Sequence, residues 1–171
     1  MQALAGEFNL SETTFVLPPD DPGHTAKVRI FTPSAEIGFA GHPNIGTAWM
    51  LAAQGRDTHG RLTLEGGSGL VEIDVERDRG ELRMCRLMTP QVLRLSAAPN
   101  AAELAPCAGL DASDIRQTDV ASVGLDCVCA EVSVEVLARA APNASAFRAV
   151  ADRWLGPQGR FMLCLYARDG N

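Results

Sequence analysis

Positive charge is in short supply: 15 Lys and Arg stand against 21 Asp and Glu, for a formal net charge of −6. A nucleic-acid partner needs a concentrated basic footprint, so this balance argues against one. It leaves room for a small anionic ligand, because one helix terminus can hold an anion against the global field. Long apolar runs are also missing. No stretch reaches the ~20 apolar residues of a membrane span, and the longest candidate, Val120 to Ala141, is broken by Asp126, Glu131, Glu135 and Arg139. The first residues show no basic segment followed by an apolar run, so no secretory signal is expected. These absences together predict a soluble, cytoplasmic protein.

Metal and nucleophile patterns are absent as well. His24, His42 and His59 have no i,i+4 relation, and no carboxylate–histidine pattern of a metalloenzyme occurs, so no metal is expected. The five cysteines, Cys85, Cys107, Cys127, Cys129 and Cys164, match no zinc spacing. Cys127-Val-Cys129 on a strand would point both thiols to one side, which reads as two small core residues. Gly66, Gly67 and Gly69 are followed by no Lys-Ser/Thr and open no helix, so they predict a hairpin turn rather than a phosphate loop. Gly-x-Ser-x-Gly does not occur. What remains is an ordinary globular composition, 46% hydrophobic and 21% charged over 171 residues, enough for one good core or two small packed lobes.

The chain reads as α+β with mostly meandering strands. A short helix ends at Asn9, a strand-like run from Glu12 to Leu17 stops at Pro18-Pro19, and Lys27 to Thr32 alternates polar and apolar residues as its partner. A helix is predicted from Pro43 to Ala53, Pro43 suiting the first position and Gly55 the stop, with Ile45, Ala48, Trp49 and Ala52 buried. Strands at Arg61–Glu65, Gly69–Glu76 and Glu81–Leu87 follow, separated by tight-turn residues. Met88-Thr89-Pro90 reads as a crossover, dividing a first lobe at 1–88 from a second at 89–171. The second lobe holds a helix at Ala101–Cys107, strands at Thr118–Val123 and Cys127–Val136, a helix at Ser145–Leu155 and a strand at Arg160–Ala167. His24 and His59 read as exposed loop residues.

Two places carry candidate chemistry. Glu12 opens a β-rich run with little charge around it; it is either a solvated strand-end carboxylate or, inside a pocket, a group able to take and return a proton. In Phe39-Ala-Gly-His-Pro-Asn-Ile-Gly-Thr47, Gly41 permits close backbone approach, His42 sits at or beside the N-cap and Pro43 begins the helix. The free amides of such a terminus suit a substrate carboxylate, and its dipole favours a neutral His42 imidazole. The plain alternative is a capped helix with an ordinary histidine.

The stretch Met1-Gln-Ala-Leu-Ala-Gly-Glu-Phe-Asn-Leu-Ser-Glu-Thr-Thr-Phe-Val-Leu17 resembles the segment of the phenazine-biosynthesis-like (PhzF) family that carries its acidic catalytic residue. Val28-Arg-Ile-Phe-Thr-Pro-Ser-Ala-Glu-Ile-Gly-Phe-Ala-Gly-His-Pro43, continuing to Gly46-Thr-Ala48, resembles that family's second signature, in the same order and near the same spacing. A weaker likeness runs on to about Ala167. The resemblance implies a diaminopimelate-epimerase-like fold: two similar lobes, each a curved, mostly antiparallel or mixed sheet around a central helix, with the site in the cleft between them. It also implies a homodimer, no cofactor and an isomerase acting on a small carboxylated metabolite. By motif match Glu12 would be the acid/base group and His42 a substrate-binding or orienting residue, while the helix start at Gly41, Pro43 and Asn44, read above as an anion site, would hold the substrate carboxylate. In the best-known member the reaction isomerises a dihydro-hydroxyanthranilate. The family's initial strand with Gly-Asn-Pro, and its later Glu-Asp-Pro-x-Thr-Gly-Ser segment, have no counterpart between Met1 and Asn171. The fold is therefore expected to be incomplete at both ends and the site one-walled, the competing expectation being a non-catalytic binding or self-associating remnant.

Overall fold

The computed structural model describes residues 1–155 and 161–168. They fall into two units, Met1–Val92 with Val123–Leu125, and Leu93–Ser122 with the described residues from Asp126 onward. Both combine a sheet with helices, so the class is α+β as expected.

The first unit opens with helix α1 (Gln2–Phe8), which Asn9 ends in the left-handed region at φ 49° and ψ 36°. Asn visits that region at little cost, and its N–H returns to the Ala5 carbonyl at 3.1 Å. Strands β1 (Thr13–Leu17) and β2 (Ala26–Phe31) pair antiparallel from Thr13↔Phe31 to Leu17↔Lys27. The Pro- and Asp-rich connection between them is tied down by Glu65, whose carboxylate accepts the Asp20 and Asp21 amides at 2.8 Å each and meets His24 Nδ1 at 2.9 Å. Those amides first, and then His24, hold the Glu65 carboxyl down to about 2. His24 is accordingly half-buried and engaged, a correction to its reading as an exposed loop residue; His59 is exposed.

Strand β3 (Glu36–Ile37) pairs with β2, helix α2 (Gly41–Ala53) follows, and β4 (Arg61–Gly66), β5 (Gly69–Asp78) and β6 (Glu81–Leu87) complete a sheet of order β1-β2-β4-β5-β6. Only the β2–β4 pairing in that order is parallel. Gly66 to Gly69 is the hairpin turn expected there, and a side chain on Gly67 would meet the Gly38 backbone at 2.9 Å. Period-two alternation sends Val28, Ile30, Leu62, Leu64, Val71 and Ile73 to one face, where α2 covers them.

The buried face of α2 differs from the expected one. Pro43, Asn44, Thr47, Ala48, Leu51 and Ala52 point inward, Ile45 is half-buried and Trp49 is 41% exposed. Ala48 and Ala52 let the helix axis lie close to the sheet, a slot too shallow for an indole, so the helix is turned to put Trp49 outside. The helix also starts two residues before Pro43.

The second unit contains β7 (Arg94–Ser96), α3 (Ala101–Leu104), β8 (Gln117–Ser122), β9 (Asp126–Glu131), α4 (Val134–Arg139), α5 (Ala144–Leu155) and β10 (Leu163–Tyr166), with sheet order β10-β9-β8-β7. Asn100 and Glu103 form a capping box on α3, which tightens into a 3₁₀ turn at Ala105–Ala108. The strand expected to run to Val136 stops at Glu131. Ser133 Oγ accepts the Val136 amide at 3.3 Å and starts α4 instead, a local cap that overrides the β-branched character of Val134 and Val136. Of the strand expected over Arg160–Ala167, Leu163–Tyr166 is present, and Arg160 lies outside the described residues. Val128, Ala130, Leu104, Phe147, Val150 and Phe161 build this unit's core. Cys127 and Cys129 do share one side of β9, but it is the half-exposed side; Val128 and Ala130 face the core. No helix among the described residues is long and apolar enough to cross a membrane, and no group of three or more His, Cys, Asp or Glu among them is arranged to hold a metal ion.

Candidate functional site

Glu12 immediately precedes β1, and strand alternation puts Thr14 and Val16 on its side. Across from them runs α2. Its N-cap is Ala40, extended at φ −153° and ψ 137°, a residue with no side-chain oxygen to satisfy the first turn. The Gly41 and His42 amides consequently have no acceptor within the helix, and Pro43 has no N–H to offer. Between β1 and α2 lies an open groove of about 510 Å³, lined by Glu12, Thr14 and Val16 on one wall and His42, Pro43, Thr47 and Met50 on the other. Gln54 and Arg56 close its far end, where Arg56 Nη2 donates to the Thr25 carbonyl at 2.9 Å.

At the near end, Glu12 Oε2 stands 2.9 Å from His42 Nε2. The Glu12 side chain is 18% exposed and that of His42 74%. Oε2 itself is buried yet accepts no well-aligned hydrogen bond among the described residues, so the imidazole is close in distance but poorly directed. Catalytic hydrogen bonds are commonly loose in this way before a ligand aligns them. Thr47 Oγ1 donates to Thr14 Oγ1 at 2.9 Å, a part-buried hydroxyl contact that ties the strand following Glu12 to the helix carrying His42.

Of the residues singled out in the sequence, Glu12, His42 and Pro43 meet in one groove. Gly41 occupies the first helical position with nothing within 4 Å of where a Cβ would lie, so no protein backbone presses on it and the space beside it is open. Asn44 is 2% exposed and donates from Nδ2 to the Ala40 carbonyl at 2.9 Å, which makes it a brace of the helix start. Thr14 and Thr47 were missed. Their signal was present: Thr14 follows Glu12 at the strand period, and Thr47 follows Pro43 by one helical turn.

The model of the phenazine biosynthesis-like protein family (PhzC-PhzF) matches residues 1–158. Over 90 residues the chain is 47% identical to the trans-2,3-dihydro-3-hydroxyanthranilate isomerase of Pseudomonas aeruginosa, a match covering 53% of this chain and 31% of that enzyme. Among solved structures it is similar to a PhzF-family phenazine biosynthesis protein of Bacillus anthracis, at a TM-score of 0.74 and 24% identity over 99% of this chain and 57% of that one. A predicted epimerase of Pseudomonas aeruginosa matches at a TM-score of 0.73 and 29% identity, over 98% of this chain and 58% of the other. The chain thus spans about a third of that curated relative and under three fifths of these solved chains. These matches and the two signature blocks agree, and the chain belongs to the phenazine biosynthesis-like (PhzC-PhzF) family.

Proposed function

We propose that the groove between β1 and α2 is the proton-transfer site of a cofactor-independent isomerase acting on a small carboxylated metabolite. Glu12 removes a proton from a carbon beside an unsaturated or carboxylated centre and returns one at a different carbon. The Gly41 and His42 amides, which have no acceptor within the helix, receive the substrate carboxylate and help spread the developing charge, and His42 orients the bound molecule. The observation that carries this reading is Glu12 Oε2: buried, without a well-aligned hydrogen bond among the described residues, and 2.9 Å from the imidazole at the helix start. A carboxylate oxygen so placed has its acceptor capacity free for a ligand's proton. The relative named as a trans-2,3-dihydro-3-hydroxyanthranilate isomerase supports the reaction class. The working assembly in this reading is a homodimer.

The strong exposure of His42 favours a second reading, in which the groove binds a carboxylate without turning it over. Solvent-deuterium incorporation into trans-2,3-dihydro-3-hydroxyanthranilate, followed by mass spectrometry, separates the two. The first reading expects incorporation that Glu12→Gln lowers by about 10²–10⁴-fold, the usual worth of general acid–base help. Binding without incorporation selects the second. Incorporation that survives Glu12→Gln undiminished removes Glu12 from the mechanism.

A further inference from the structure

Three of the five cysteines lie on the side of the second unit's sheet that turns away from its core. Cys127 and Cys129, two residues apart on β9, share that side, while Val128 and Ala130 pack inward. β10 runs parallel to β9 with Cys164 in register with Cys129, and its Leu163 and Leu165 pack against the core, so Cys164 joins the same outer side. All three are free thiols, and the isomerase reading uses none of them.

Geometry selects one pair among the three. Registered residues on neighbouring strands sit ~4.8 Å apart, inside the Cα window of about 4.4–6.8 Å for a disulfide. Cys127 and Cys129 are spaced by two strand residues, ~6.6 Å, with side chains running parallel at the limit of that window. Cys127 is a diagonal neighbour of Cys164 by register, its thiol lying against the Cys129 thiol and the Cys164 backbone. Access divides the labour within the pair: Cys164 is exposed, whereas Cys129 is half-buried, and burial, followed by the neighbouring Cys164, keeps the Cys129 thiol above its ordinary range.

We propose that Cys164 and Cys129 form a dithiol site that exchanges with low-molecular-weight disulfides. The Cys164 thiolate attacks one sulfur of the small disulfide, breaking its S–S bond and expelling one thiolate, which takes up a proton. Cys129 then gives its proton to water and attacks the Cys164 sulfur of the mixed disulfide. A Cys129–Cys164 bond forms and the second small thiol leaves. Two protein thiols are oxidised and one small disulfide is reduced to two thiols. The Cβ atoms of registered strands stand slightly farther apart than the ~3.8 Å a relaxed disulfide prefers, so the bond draws β10 towards β9 and is readily reduced again.

Oxidised glutathione is the probe. After exposure, trypsin cleavage without reductant leaves Cys127 and Cys129 together in the peptide 117–139 and Cys164 in the peptide 161–168. The expected product is these two peptides joined within one chain and separated by dithiothreitol. Cys127→Ser keeps the link, Cys129→Ser stops at a glutathione adduct on Cys164, and Cys164→Ser shows no link. A link that persists in Cys129→Ser overturns the pairing. A wild-type chain that carries only the adduct, links only between copies, or does not react overturns the site.

Discussion

Replacing Thr47 by Val removes the hydroxyl that joins α2 to β1 while keeping the shape of the side chain. The lost contact is the 2.9 Å bond to Thr14 Oγ1, with Thr47 only 6% exposed. A neutral hydrogen bond contributes about 0.5–1.5 kcal/mol net, and leaving its partner without one adds a desolvation cost, so Thr47→Val costs about 1–2 kcal/mol. Thr14→Val costs a similar amount. The double variant leaves neither hydroxyl behind and is expected to cost less than the two singles added, with a coupling of about 0.5–1.5 kcal/mol. Amide hydrogen exchange in peptides from β1 and α2 reads this directly, since 1–2 kcal/mol speeds opening by roughly 5–30-fold. Thr13→Val is the control. Thr13 Oγ1 is buried with no hydrogen-bond partner among the described residues, so its removal leaves exchange unchanged or slower. Singles that add exactly in the double would mean the two hydroxyls do not hold β1 to α2, and the spacing of Glu12 from His42 would need another cause.

Other consequences are equally measurable. On α2, Leu51→Ala is expected to cost about 2–5 kcal/mol in urea unfolding, whereas Trp49→Ala, on the exposed side, costs under about 1 kcal/mol; the reverse order would restore the face read from the sequence. Glu65 is held down to about 2 by the Asp21 and Asp20 amides and His24, so its contribution is complete above its unfolded value near ~4.3 and is lost as pH falls towards 2. Glu65→Gln should therefore flatten the acid limb of stability between those values, and an unchanged acid titration by circular dichroism would contradict it. Gly67→Ala should lower the melting temperature clearly, because its Cβ would lie 2.9 Å from the Gly38 backbone, while Gly41→Ala, with nothing within 4 Å, should leave it nearly unchanged.

Local chemistry made much of this protein legible from its residues alone. Alternation in Lys27–Thr32, Arg61–Glu65 and Gly69–Glu76, and the turn residues between them, specify strands because a period of two and a tight turn are properties of a few neighbouring residues. Asn9 ends α1 for an equally local reason, and the two signature blocks bring Glu12 and His42 forward as a pair. Tertiary structure decided what depends on distant partners. The slot beneath Ala48 and Ala52 turned Trp49 outward, since the rotation of a helix is set by the sheet it packs on. The end of β9 is the exception, a local matter: the Ser133 cap, three residues from Val136, outweighs the β propensity of two valines. Glu65, 41 residues from His24, made a half-buried anchor of what had read as an exposed loop histidine. The 2.9 Å approach of Glu12 to His42, the Thr14–Thr47 contact and the register of Cys164 with Cys129 are likewise products of packing. Each joins residues separated by some 30 positions or more, and only the folded sheet brings such residues together.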